Sequence, residues 1–182
     1  PPSLPSEYSQ IRYRVNIASH GESGSCVRKV QRAPEHVAKF HSGLLLGGDR
    51  GEWGGELVFR DGSGIDKVIL EENVVAIHVI DEKAYVFTGL SHMGNHFGSI
   101  HRLDAENGMT ALNPSRITKL DDRPTEVVYD EKMGFRLRFG EVAGLDSGSI
   151  GRVRYQCFSL TDQKNLAEIA CSLDVAQEAT GQ

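Results

Sequence analysis

Three imidazoles fall within ten residues of one another, at His92, His96 and His101, and imidazole is a common ligand of zinc and copper. No cysteine or carboxylate completes the set at a familiar spacing, and a glycine-rich segment fixes ligands poorly. The sequence therefore assigns no metal, and histidines that hydrogen-bond a partner are the favoured reading. A metal-dependent enzyme built on His92, His96 and His101 is kept as a second alternative. Nucleophilic chemistry has less support. Ser91 and His92 are mere sequence neighbours, no Gly-x-Ser-x-Gly elbow exists, and Cys26 has His20 nearby but no third group to orient it. The glycines of residues 47–55 do not make a phosphate loop, because the Lys-[Ser/Thr] pair is missing. Asp121-Asp122 and Glu71-Glu72 read as solvated turns, not as a calcium loop. No catalytic residue and no cofactor is assigned, and the chain is not expected to be an enzyme.

The histidines belong to a glycine-bounded segment, residues 89–98, which has counterparts at residues 47–55 and 140–148. Segments of eight to ten residues exceed the two to five that a hairpin needs for closure, so their length invites a functional explanation. They carry the only tryptophan, Trp53, together with Leu90, Met93 and Phe97, residue types enriched at interfaces. The candidate partner-binding set is Trp53, Leu90, Ser91, His92, Met93, Asn95, His96, Phe97, Leu145 and Asp146. The competing reading folds these loops over the sheet ends, with Trp53 and Phe97 plugging the core.

The elements that position these loops come from an internal repeat. Residues 43–48 and 55–61, 81–89 and 98–104, and 130–140 and 148–155 align as strand, loop, strand, and both Asp-Glu-Lys and Gly-Ser-Ile-x-Arg recur between the second and third units. The spacings of about 41 to 43 and then 49 to 51 residues suit four-stranded propeller blades. Further strands at residues 67–70, 74–77, 109–112, 126–129 and 166–171 fill out the units. The expectation is an all-β domain over residues 8–182: three propeller-like four-stranded meander repeats at about 36–70, 74–112 and 125–173, an incomplete β-propeller, behind an extended tether at 1–7. The alternating run Phe135-Arg136-Leu137-Arg138-Phe139 buries one face and wets the other. Because three blades do not close a ring, residues 8–17, which alternate cleanly, are the candidate for a strand that seals the open edge. Residues 162–178 admit a second reading, a short C-terminal helix with Leu166, Ile169, Ala170 and Leu173 at helical spacing.

Twenty glycines against six prolines point to many tight turns. A net charge of -5, with no basic cluster, argues against nucleic acid. No apolar run reaches the roughly 18 to 20 residues that span a bilayer, so no membrane insertion is expected. The sequence opens on Pro1 without an initiator Met, so a signal peptide or upstream region is expected to have been removed. Cys157 and Cys171 flank a hairpin turn at residues 161–165 and are placed to bridge, leaving Cys26 unpaired. A bridge would suit the periplasm or the secreted state; three buried thiols in the cytoplasm are the alternative.

Residues 74–112, with their Asp-containing turn, Ser-Ile-x-Arg-Leu-Asp strand and Asn-Gly turn, resemble a β-propeller blade of the quinoprotein-like and WD40-like kind. The chain also resembles the exported, incomplete-propeller immunity proteins that neutralise peptidoglycan amidase effectors of type VI secretion. In that family a Gly/Ser-rich inter-strand loop enters the effector's Cys-His cleft, and residues 89–98 occupy the matching position, with Ser91, His92, Asn95 and His96 in place of a serine-rich tip. The resemblance implies a protein-binding inhibitor of antitoxin type whose partner is a secreted cell-wall hydrolase. The alternative is a propeller fragment that binds a small ligand or scaffolds a complex.

Overall fold

The computed structural model describes residues 5–21, 24–93, 95–104, 112–140, 153–161 and 165–171. The chain is all-β, and its contacts divide it into two compact units, residues 1–123 and 124–182. The first unit opens with a hairpin, β1 (Tyr13–Gly21) and β2 (Gly24–Arg32). An antiparallel meander follows, β3 (His36–Phe40), β4 (Gly43–Gly48), β5 (Glu56–Arg60) and β6 (Asp66–Leu70), and then a second, β7 (Val74–Ile80), β8 (Lys83–His92), β9 (Asn95–Asp104) and β10 (Ser115–Leu120). The second unit is a third meander, β11 (Glu126–Asp130), β12 (Gly134–Gly140), β13 (Val153–Leu160) and β14 (Leu166–Ile169).

Side-chain alternation fixes how the first unit stacks. On one face of β4 and β5, Leu45, Leu57 and Phe59 join Val74, Ala84, Val86 and Leu103 of the second meander in one cluster. On the other face Leu46 and Val58 join Tyr13 and Val15 of β1. The first meander is thus sandwiched between the hairpin and the second meander, with apolar side chains on both faces. Each fully buried Leu, Val or Phe contributes about 1.5 to 3 kcal/mol to this packing. In the second unit β12 buries Phe135, Leu137 and Phe139 and turns Arg136 and Arg138 the other way, as the alternation requires.

The turns follow from local chemistry. Asp81 and Glu82 both take positive φ, at 46° and 64°, and close β7 to β8 in two residues. Asp130 closes β11 to β12 by accepting backbone N–H groups of Lys132 and Met133 at 2.8 and 2.9 Å. Across residues 161–165 the Thr161 amide donates to the Asn165 carbonyl at 2.9 Å, and Cys157 and Cys171 are joined by a disulfide.

Several expectations are corrected. Residues 89–98 are not a loop: β8 and β9 stay paired from Lys83 opposite Asp104 out to His92 opposite Asn95. Gly89 and Gly98 serve packing: an added Cβ would stand 2.8 Å from Arg123 at the first and 2.5 Å from the Asp122 carbonyl oxygen at the second. The fourth strand of the second meander is β10, beyond Pro114, and not residues 109–112, of which only Leu112 lies among the described residues, as part of the core. The strand expected over residues 8–17 seals no edge; it begins at Tyr13, pairs only with β2, and covers a sheet face. Leu166–Ile169 pairs with β13 as the strand expected there, and only the alternative helix is overturned over its described part; residues 162–164 and 172–178 lie outside the described residues. The ladder with β13 pairs the backbone of Leu166–Ile169, and the bridge from Cys171 to Cys157 fastens the residues just beyond it to β13.

Candidate functional site

The first glycine-rich segment is anchored at its base and open at its tip. Arg50 donates from its backbone to Asn73 Oδ1 at 2.9 Å, and Asn73 Nδ2 returns a bond to the Gly51 carbonyl at 2.7 Å. The Arg50 guanidinium pairs with Glu35 and donates to the Tyr13 hydroxyl at 3.0 Å and the Ala33 carbonyl at 3.1 Å. Tyr13 is wholly buried and donates to Glu56, whose second oxygen accepts from Arg32 at 2.5 Å. Burial is the main cause that raises the Tyr13 phenol above its ordinary value, and the hydrogen bond to Glu56 adds to it. Asp49 caps the following turn by accepting the Gly51 amide at 2.9 Å and pairs with Arg123.

Above this base the short 3-10 helix Gly51–Trp53 presents Trp53, which is 82% exposed. The reading in which Trp53 plugs the core is therefore overturned. Beside it stands the tip of the β8–β9 hairpin, tied to the helix by a 2.9 Å contact between His92 Nε2 and a Glu52 carboxylate oxygen. Met93 caps the hairpin, 89% exposed and at φ 44°, and Phe97 is 50% exposed opposite Leu90. Two of the glycine-bounded segments thus share one end of the first unit and carry three large exposed apolar side chains between them.

The histidines go separate ways. Ser91 Oγ and His96 Nδ1 are 2.9 Å apart across one rung, with Asp122 3.6 Å from the same nitrogen. Both contacts converge on Nδ1, so His96 cannot relay a proton from serine to carboxylate as a triad histidine does through its two nitrogens. His101 is buried, with Nε2 3.1 Å from Glu72, which also accepts from Thr88 at 2.6 Å. The His101 bond is the leading cause that holds the Glu72 carboxyl below its ordinary value. His96 and His101 face opposite sides of β9, and His92, opposite Asn95, is about 20 Å along the strand from His101. The described geometry does not gather the three around one ion.

Of the ten residues chosen from sequence, the structure brings together Trp53, Leu90, Ser91, His92, Met93, His96 and Phe97. Asn95 is placed by its backbone alone, and Leu145 and Asp146 lie outside the described residues. Sequence reasoning missed Glu52 and Asp122, which hold the histidines, and the group Tyr13, Glu35, Arg50, Glu56 and Asn73 that anchors the base. The adjacent Asp49-Arg50 charges inside a glycine-rich stretch were the available signal. No helix among the described residues is long and apolar enough to cross a membrane. Compared with protein families, with curated proteins and with solved structures, the chain matches none.

Proposed function

We propose that this chain is a protein-binding module of inhibitor or immunity type, which blocks a partner enzyme with the tip formed by the Trp53 segment and the β8–β9 hairpin. The observation that carries the reading is the exposure of Trp53, Met93 and Phe97 on anchored backbone. Large apolar groups held in place on the surface bind well, because little conformational freedom is left to lose. Ser91, His92 and His96 supply hydrogen bonds that would satisfy polar groups buried in the partner's cleft. The Cys157–Cys171 bridge suits an oxidising compartment and so favours a periplasmic or secreted protein. A secreted cell-wall amidase is the partner class that the resemblance to immunity proteins suggests.

The test uses the chain and a Trp53→Ser/Met93→Ser/Phe97→Ser variant as paired baits on extracts of the source organism. The intact chain should retain a hydrolase and inhibit it, and the variant should lose it by a factor of 100 or more, about 3 kcal/mol for a central hot spot. Equal retention by both baits would move the interface elsewhere.

A further inference from the structure

The second unit carries a groove that owes nothing to the docking end. Because β12 buries Phe135, Leu137 and Phe139 on one side, its other side shows Arg136 and Arg138. On that side one rung crosses all four strands, pairing Val128, Arg136, Cys157 and Ile169. A groove of about 390 Å³ lies here, within the size range of small-molecule sites. Its walls are Val128, Met133, Ile169 and the Cys157–Cys171 bridge, and the first three are partly exposed.

The polar lining is unequal. Asp130 spends an oxygen on the backbone of Lys132 and Met133, closing its own turn. Arg136 is half-buried with its guanidinium 5.8 Å from the Tyr155 ring, and no acceptor among the described residues lies within hydrogen-bond reach of it. Arg32, Arg50, Arg60, Arg102 and Arg123 each meet a carboxylate. A planar fork of donors, set over an aromatic ring and without an acceptor among the described residues, beside an apolar wall, matches a carboxylate joined to an apolar body.

We propose that this groove binds a small amphipathic carboxylate, forked on Arg136, with its apolar body along Val128, Met133, Ile169 and the disulfide. With Lys132 also lining the groove and Asp130 opposing it, the lining carries one net positive charge, which suits a monoanion better than a phosphate.

The test is a methyl-resolved NMR titration of the full chain with sodium octanoate, set against 1-octanol and octyl phosphate. Octanoate should shift the Val128, Met133 and Ile169 methyls saturably and bind at least tenfold tighter than octanol. Arg136→Gln should weaken octanoate tenfold or more and leave octanol unchanged, while Arg138→Gln, on the same face but exposed and outside the groove lining, should alter neither. Should Arg136→Gln impair folding, Arg136→Lys, which keeps the charge but loses the fork, must still weaken octanoate more than octanol. The proposal falls if octanoate moves none of these methyls in the unmodified chain, binds no tighter than octanol, or is outcompeted by octyl phosphate. It also falls if sedimentation shows a dimer that buries Met133, which would put a second copy in the groove.

Discussion

Replacing Tyr13 by Phe removes one oxygen from the base of the Trp53 segment and leaves the packing of the ring in place. The phenol is wholly buried, donates to Glu56 and accepts from Arg50 at 3.0 Å. Without it one Glu56 oxygen keeps only the Arg50 guanidinium at 3.7 Å, while the other retains Arg32 at 2.5 Å. Losing a buried hydrogen bond to a charged group costs about 1.5 to 3 kcal/mol, and the surviving Arg32 pair places the expected loss near 2 kcal/mol. The same substitution has a signature in pH. The folded phenol is raised above its ordinary value, so the folded state keeps a proton that the unfolded chain releases at about pH 10. The stability this contributes is complete below pH 10 and is lost as pH climbs from there towards the folded value. Urea titrations followed by circular dichroism should show the intact chain weakening above pH 10 and Tyr13→Phe weakening less steeply. A loss under about 0.5 kcal/mol at neutral pH, with the alkaline slope unchanged, would refute the assigned role.

Leu137→Ala should cost roughly 2 to 4 kcal/mol, since the side chain is fully buried, whereas exposed Arg138→Ala should cost under about 1, and equal losses in urea would overturn the register of β12. Reducing the Cys157–Cys171 bridge opens a loop with a sequence separation of 14, so the second unit should lose about 3 kcal/mol. Hydrogen exchange in β13 and β14 reports this, and protection unchanged by reductant would contradict it. Trp53→Ser should leave the melting temperature within about a degree or two, because the indole is exposed, and a larger fall would show it to be a packing residue.

The meanders were legible because their signals are local. Alternation in Phe135-Arg136-Leu137-Arg138-Phe139, the two-residue Asp81-Glu82 reversal and the repeated Gly-Ser-Ile each report on a few neighbouring residues. Errors arose where a local pattern had two physical causes. Gly89 and Gly98 mark a loop boundary equally well as a strand pair against which Arg123 and Asp122 pack, and only the distant chain decides between them. At Leu166–Ile169 the same residues fit a helix by spacing, and the strand expected there forms instead because pairing with β13 satisfies its backbone. The fourth strand of the second meander is β10, and Leu112 packs into the core of the first unit, a long-range contact that no local pattern records.

The candidate site was legible in residue type but not in exposure. Tyr13 and Trp53 are both single aromatic residues in polar surroundings, yet one is wholly buried and the other 82% exposed. The difference lies in what each backbone is tied to. Tyr13 sits on a strand laid over the first meander, where Glu56 and Arg50 meet its hydroxyl. Trp53 sits on one turn of 3-10 helix whose base is fixed by Asn73 and Asp49 and whose Glu52 meets His92 of the hairpin beside it. Those anchors come from residues 13, 35, 56, 73 and 123, spread over more than a hundred positions, and so left no motif to read. The base is thus fixed by three charged pairs and a buried asparagine while the loop's largest apolar group stays in water. Under the proposed function, the cost of ordering this loop would be recovered as a partner desolvates the indole, which is how the missed polar network would serve the exposed tip.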